Sequence, residues 1–210
     1  RSFSDGAAVF FGGMADHFQF EAQDFDPAGH YDPSRARVWP GHSSEVIASS
    51  AVDFIRGRRN DQQPFFLYAA FLAPHDPRTA PPEFARMYDP ARIPVPPNFL
   101  PEHPFDNGEL RVRDEMLAGF PRTPDEICKH IADYYAMISH LDAQVGRILA
   151  ALEETGQATF DAAGALEGLR EVQAPDVAPG RGDSRVLGVV GGGLADQVPA
   201  VVDEHGLGGQ

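Results

Sequence analysis

His75 is the residue whose type and position are best suited to chemistry. It follows an uninterrupted apolar run, residues 64–72, and lies between Pro74 and Pro77. Such a run, bounded by turn residues, predicts a strand buried on both faces, and open α/β sheets bind ligands beyond the carboxyl ends of their strands. An imidazole placed there can donate to an anionic ester or act as a general acid. The alternative is a loop histidine bonded only to backbone.

Three other positions carry weaker signals. His17 follows Gly12-Gly13 in an aromatic- and glycine-rich stretch and is a candidate substrate-binding residue on a loop. Asp106-Asn107-Gly108 pairs a carboxylate with an amide, which hard cations accept, although an ordinary turn is the favoured interpretation. Cys128 lies on a predicted helix, where a partly buried structural thiol is favoured over a reactive one. No residue is assigned as a metal ligand.

Composition excludes several classes of protein. Lys and Arg number 17 and Asp and Glu 31, so the net charge of −14 argues against nucleic acid or an anionic membrane as partner. A single cysteine excludes a disulfide framework and a cysteine-only zinc site. No apolar run reaches membrane-span length. The sequence opens on Arg1 without a signal-peptide pattern, so we expect a missing N-terminal part. The compartment is left open, with a periplasmic or secreted location possible.

The elements that would position these residues alternate between helix and strand, which indicates an α/β fold. A first helix begins after Ser43 or Ser44, either of which could cap it, and the strand of 64–72 follows. A proline-rich loop spans 81–121. One long helix is then predicted at about 124–155, with Thr123 as N-cap and Glu126 completing a capping box. Its apolar stripe consists of Ile127, Ile131, Tyr134, Ile138, Leu141, Val145, Ile148 and Leu152. A coiled coil is the alternative, and Asp133, His140 and Asp142 are expected to be solvated or to pair with loops.

The chain divides at residue 157. Residues 158–210 are rich in Gly, Ala and Val and contain no Lys. One hypothesis is a reading-frame change in the source sequence, which would leave this tail without a selected fold. The other is a genuine extension, with a possible strand at 185–190.

Residues 1–157 resemble the sulfatase family of the alkaline-phosphatase-like superfamily. The resemblance lies in the strand-to-histidine stretch 64–77, in the helical stretch 132–149 (ADYYAMISHLDAQVGRIL), and in the opening Phe10-Phe11-Gly12-Gly13. It implies a partial α/β/α sandwich with a mostly parallel sheet. It also implies hydrolysis of a small-molecule or carbohydrate sulfate ester to an alcohol and sulfate. In that family a formylglycine attacks sulfur and calcium polarises the sulfate oxygens. The histidine after the strand contacts the sulfate and protonates the leaving oxygen, a role that transfers to His75.

The chain departs from the family pattern in its nucleophile and metal ligands. Tyr31-Asp32-Pro33-Ser34-Arg35 imitates the end of the formylglycine motif, but a tyrosine cannot become formylglycine. The calcium ligands implied by the family are not present in this chain, so we expect a fragment without turnover. The alternatives are a phosphoester or phosphonate hydrolase of the same superfamily, a non-catalytic binding relative, and a helical interaction protein. Substrate identity and oligomeric state are left open.

Overall fold

A computed structural model describes residues 3–61, 63–112, 116–158 and the strand at 186–189. The described residues form both helices and short strands, in agreement with the predicted α/β class, although three strands come before the first α-helix. In chain order the elements are β1 (Asp5–Gly6), β2 (Glu21–Ala22), β3 (Arg37–Val38), α1 (Ser43–Gly57), β4 (Phe66–Ala69), α2 (Pro82–Ala85), α3 (Pro124–Glu154) and β5 (Val186–Val189), with 3-10 turns at Pro33–Arg35 and Pro90–Arg92.

In the described part of the chain, β1, β5 and β4 form a sheet in that order, with both pairings parallel. Strand β5 falls where the sequence allows a strand at 185–190. The remainder of the tail, and with it the frame-change hypothesis, lies outside the described residues. Strands β2 and β3 pair antiparallel as a separate ribbon.

Strand β4 is shorter and less buried than predicted. It spans four residues rather than nine, and Phe66 and Tyr68 are 60% and 44% exposed. Leu67 and Ala69 pack instead against the core that contains Ile47 of α1. The expectation of burial on both faces is wrong because, among the described residues, helix α1 covers one face of β4 and Phe66 and Tyr68 lie on the other.

Helix α1 begins at Ser43, one residue earlier than a cap at Ser43 and two residues earlier than a cap at Ser44 would place its start. His42 is the N-cap: its ring accepts from the backbone N–H of Ser44, and Glu45 reaches back to the backbone N–H of His42 at 3.1 Å. Ser43 and Ser44 are fully buried inside the helix. Histidine is uncommon as an N-cap residue, so the sequence pattern favours the two serines instead.

Helix α3 agrees with its predicted bounds but turns a different face to the core. Its 31 residues correspond to roughly 46 Å. Its buried positions are mostly small or polar, whereas Tyr134, Ile138 and Val145 of the predicted stripe are exposed. The buried residues are Cys128, Ala132, Ala136, Met137, His140, Gln144 and Ala151. Helix α1, helix α2 and the turn at Pro90–Arg92 all pack on α3, and these contacts decide which face is buried.

Polar side chains of α3 make hydrogen bonds and an ion pair to α1 and to the proline-rich segment. Arg147 donates to Ser49 of α1 at 3.0 Å, and Arg56 pairs with Glu154 at 2.8 Å. The proline-rich segment is ordered where it is described, since Tyr88 bonds Ser139 at 2.7 Å. No helix of the described residues is long and apolar enough to cross a membrane.

The N-terminus of α3 depends on Thr123. Its hydroxyl accepts from the backbone N–H of Glu126 at 3.3 Å, one of the two bonds of the predicted capping box. We expect Thr123→Ala to lower the free energy of unfolding by about 1 kcal/mol, because an N–H at the helix start loses its acceptor. Urea unfolding of Thr123→Ala and Thr123→Ser measures this. Equal losses in the two variants would contradict the cap.

Candidate functional site

The loop after β4 carries His75 to the surface. Its backbone N–H donates to Leu72 at 3.0 Å, and ring atom Nδ1 lies 3.2 Å from the carbonyl oxygen of Asp76. A carbonyl can only accept, so Nδ1 carries the proton and Nε2 is the atom left for a ligand. The peptide bonds before Pro74 and Pro77 are both cis. His75 thus has a fixed tautomer on an exposed loop.

His75 lines a cavity of about 660 Å³ between this loop and the first turns of α3. The loop contributes Pro74, Asp76 and Arg78, and the segment before α3 contributes Arg122. The wall formed by α3 is largely apolar and aromatic, from Ile127, His130, Ile131, Tyr134 and Tyr135. The described lining residues include two guanidinium groups, of Arg78 and Arg122, and one carboxylate, of Asp76. In a chain of net charge −14, this is a local environment suited to an anionic ligand with an apolar part.

Arg78 connects the loop to α3 across this cavity. Its Nε lies 3.2 Å from Oδ1 of Asp76, and its Nη1 lies 2.8 Å from Nδ1 of His130. These contacts hold the guanidinium between a carboxylate and an imidazole.

His17 lies beneath the loop rather than in the cavity wall. It is fully buried, its Nε2 donates to the carbonyl oxygen of His75 at 3.2 Å, and its Nδ1 accepts from the hydroxyl of Ser43 at 2.7 Å. Both predicted site residues are therefore brought together, with His17 holding the backbone that carries His75. Burial lowers the pKa of His17 below its usual 6.5. A contact between His17 and substrate stays a prediction.

Two further histidines form a buried stack with His17. The His42 ring stacks on His17 at a centroid distance of 4.7 Å, and His140 meets His42 edge-on at 4.5 Å. His42 donates from Nε2 to the carbonyl oxygen of Thr79 at 3.2 Å. His17 and His42 thus hold both ends of the segment that contains His75 and Arg78. The three residues are called the histidine stack below.

Burial sets the protonation state of the histidine stack. Desolvation and the neighbouring His17 lower the pKa of His42 to about 4, and desolvation also lowers the pKa of His140. The Nε2 atom of His140 lies 3.4 Å from Oε1 of Glu45, and neither ring nitrogen makes a hydrogen bond among the described residues. The stack is therefore neutral near pH 7.

The sequence pattern missed both His42 and His140. The expectation that His140 is solvated or pairs with a loop is wrong, because its ring is completely buried between α1 and α2. The available signal was weak: a histidine directly before a helix start, and a histidine on a helix position between apolar residues.

The other candidates have local structural roles. Asp106 accepts from the N–H of Gly108 at 2.8 Å, as in an ordinary turn. Asp32 caps the 3-10 turn Pro33–Arg35. The thiol of Cys128 is buried and donates to the carbonyl of Ile93 at 3.3 Å, which supports the structural interpretation.

The described residues do not fit the calcium that the resemblance implies. Among them, no group of three or more His, Cys, Asp or Glu side chains converges on a point that could hold a metal ion. The ring nitrogens of His17 and His42 are all engaged with protein groups, and calcium takes oxygen ligands rather than imidazole nitrogen.

The sequence of residues 8–159 matches the sulfatase family, and the chain belongs to that family. An arylsulfatase of Clostridium perfringens is 32% identical over 116 residues, covering 55% of this chain and 24% of that protein. An arylsulfatase of Klebsiella aerogenes is 30% identical over 175 residues, covering 72% and 36%. The multifunctional alkaline phosphatase superfamily protein PehA of Trinickia caryophylli is 29% identical over 127 residues, covering 54% and 24%. The chain thus spans between a quarter and about a third of the length of these relatives.

Proposed function

We propose that this chain forms part of the catalytic domain of a sulfuric ester hydrolase, which converts a sulfate ester and water to an alcohol and sulfate. The proposal depends on the position of His75. This residue lies on the loop after β4, which pairs parallel with β5, and it lines the same cavity as Arg78 and Arg122. The match to the sulfatase family and to two arylsulfatases supports the reaction class. The complete domain would be the α/β/α sandwich of that superfamily.

In this proposal His75 contacts the sulfate and handles the proton of the leaving oxygen. Its Nδ1 is engaged with the carbonyl of Asp76, so Nε2 faces the ligand. In the complete domain, a nucleophile supplied by the rest of the protein would form the new bond to sulfur as the sulfur–oxygen bond to the alcohol breaks, and Nε2–H of the imidazolium form of His75 would give its proton to the leaving oxygen. The neutral ring that results can accept a proton again. His17 holds the carbonyl of the same residue and so positions the backbone that carries the ring.

The sequence contains no residue in a formylglycine motif, and the described residues offer no calcium site. We therefore propose no step through either group for this chain, and we propose that it binds sulfate esters without turning them over.

We also propose the division of the chain at residue 157 into a catalytic-domain portion and a tail. The family match ends at residue 159, beside the change in composition, which supports this division. Two hypotheses stay open for the tail, a change of reading frame and a genuine extension that includes the strand β5. Reading the coding DNA in the other two frames after codon 157 tests the change of reading frame. Under that hypothesis a hydrophobic strand followed by Asp-Asn-Gly is expected in one frame, and its absence from both would remove the hypothesis.

Binding of 4-nitrophenyl sulfate to the purified 210-residue chain tests the proposed function. We expect saturable binding by calorimetry, no release of 4-nitrophenol, and an affinity at least about tenfold lower for His75→Ala, since a charge-assisted bond to the sulfate is lost. His30→Ala, which removes another exposed histidine, serves as the matched control and should bind as the wild type does. Equal binding by His75→Ala would refute the assignment of His75, and steady release of 4-nitrophenol would refute the absence of turnover.

A second candidate is a phosphoester or phosphonate hydrolase. The similarity to PehA, a protein named for the alkaline phosphatase superfamily, supports this second candidate. Tighter binding of 4-nitrophenyl phosphate than of 4-nitrophenyl sulfate in the same assay would favour this candidate over the first.

A further inference from the structure

Arg78 fixes which ring nitrogen of a neutral His130 carries the hydrogen atom in the cavity wall. An arginine side chain has no acceptor, so the 2.8 Å contact between Nη1 and Nδ1 of His130 requires that Nδ1 accept. The proton of a neutral His130 ring then lies on Nε2. His130 therefore presents one N–H donor, and Nη2 of Arg78, which makes no hydrogen bond among the described residues, carries two further N–H groups.

The carboxylate of Asp76 does not cancel this donor set. It lies 3.2 Å from Nε of Arg78 and orients the guanidinium, and Arg122 adds a second guanidinium to the same lining. Arg78 can also offer paired N–H groups, which match the two oxygens of a carboxylate better than a point charge does.

Next to these donors lies an apolar surface on α3. Ile131, Tyr134 and Tyr135 line the cavity, and both tyrosine rings are more than a third exposed. Aromatic and branched side chains at this spacing suit the flat face of a ring. The cavity thus combines an apolar wall with donors at its edge.

We propose that Arg78 and His130 form a subsite for a carboxylate on the alcohol part of the ester, with the ring of that alcohol packed on Tyr134 and Tyr135. The substrate is then a sulfate ester of a cyclic alcohol that carries a carboxylate. This rests on the proposed function, because His75 must hold the sulfate for the second group to reach Arg78. Within the subsite Arg78 has two roles: it binds the carboxylate, and it positions His130.

Paired ligands that differ only in the carboxylate test the subsite. Calorimetry compares phenyl sulfate with 3- and 4-carboxyphenyl sulfate on the full chain. We expect at least one carboxylated ester to bind about tenfold more tightly than phenyl sulfate. That gain should be lost in Arg78→Gln and in His130→Asn, and partly restored in Arg78→Lys. Lys129→Ala removes a neighbouring exposed cation and is expected to keep the full gain.

The positioning role has its own readout. Ring-nitrogen NMR should show the Nε2–H tautomer of His130 in the wild type and in Lys129→Ala, and a mixture of tautomers in Arg78→Gln. Equal affinity for phenyl sulfate and both carboxylated esters would overturn the subsite while leaving the proposed function in place. Failure of all three esters to bind would overturn both. An unchanged tautomer in Arg78→Gln would overturn the role of Arg78 in positioning His130.

Discussion

The free energy of unfolding of this chain should fall steeply between pH 6.5 and pH 4. His17, His42 and His140 are buried and neutral, and the pKa of each is lower in the folded state than the usual 6.5. In that window the unfolded chain binds more protons than the folded chain, so acid favours unfolding. Above pH 6.5 the three rings are neutral in the folded and in the unfolded chain, so the free energy of unfolding keeps its full value.

His42 dominates this effect. A pKa of about 4 against an unfolded value of 6.5 corresponds to about 3 kcal/mol at most, lost progressively as the pH falls through the window. The pKa of the exposed carboxyl of Asp32 is also lowered, but from 3.8, so its contribution is lost only at more acidic pH. The loss of stability caused by His42 therefore falls between pH 6.5 and pH 4, and the loss caused by Asp32 occurs at more acidic pH.

Urea unfolding at intervals from pH 7.5 to pH 4 measures the slope. His42→Asn keeps an N-cap side chain and removes the titrating ring, so its slope should be distinctly shallower than that of the wild type. His30→Asn, on the surface, should leave the slope unchanged. A wild-type profile that stays flat down to pH 4.5 would be incompatible with three buried neutral imidazoles.

Phe20→Ala should lower the free energy of unfolding by about 3–5 kcal/mol. The ring is fully buried in the core that includes Ala8, Val46, Ile47 and Leu72, so its removal costs both transfer free energy and a cavity. The backbone carbonyl of Phe20 also accepts from Trp39 at 2.9 Å, which ties this residue to the ribbon beside the sheet.

The matched control is Phe105→Ala, at a ring that is 60% exposed, where a change within about 0.5 kcal/mol is expected. Phe20→Leu should lie between the two. If Phe20→Ala lost under about 1 kcal/mol in urea unfolding, this core would not be the one that stabilises the chain.

The sequence was informative where a local rule decides the structure. Thr123 and Pro124 begin α3 as their types predict, and an apolar run ending in a proline-flanked histidine predicts the strand and loop that precede the cavity. The family resemblance agrees with the match over residues 8–159. Each of these inferences depends on residues near one another in the chain.

Features set by distant partners could not be predicted. Large apolar residues such as Ile138 and Val145 predict the core face of α3, yet both are exposed. The buried face carries small side chains such as Ala151, which packs against Val52 and Ile55 of α1. His42 and His140 are 98 residues apart, and nothing local marks them as neighbours. The contact between Arg78 and His130, which are 52 residues apart, also could not be predicted from the spacing of residues in the sequence.

The sheet has a consequence for how the chain is made. Strand β5 lies between β1 and β4, although it is encoded more than a hundred residues after β4. During synthesis β1 and β4 leave the ribosome long before the strand that joins them, while α1 and α3 can already dock on each other. Contacts of such large sequence separation form slowly. We expect nascent chains halted before residue 186 to be a preferred target of chaperones that bind unpaired strands.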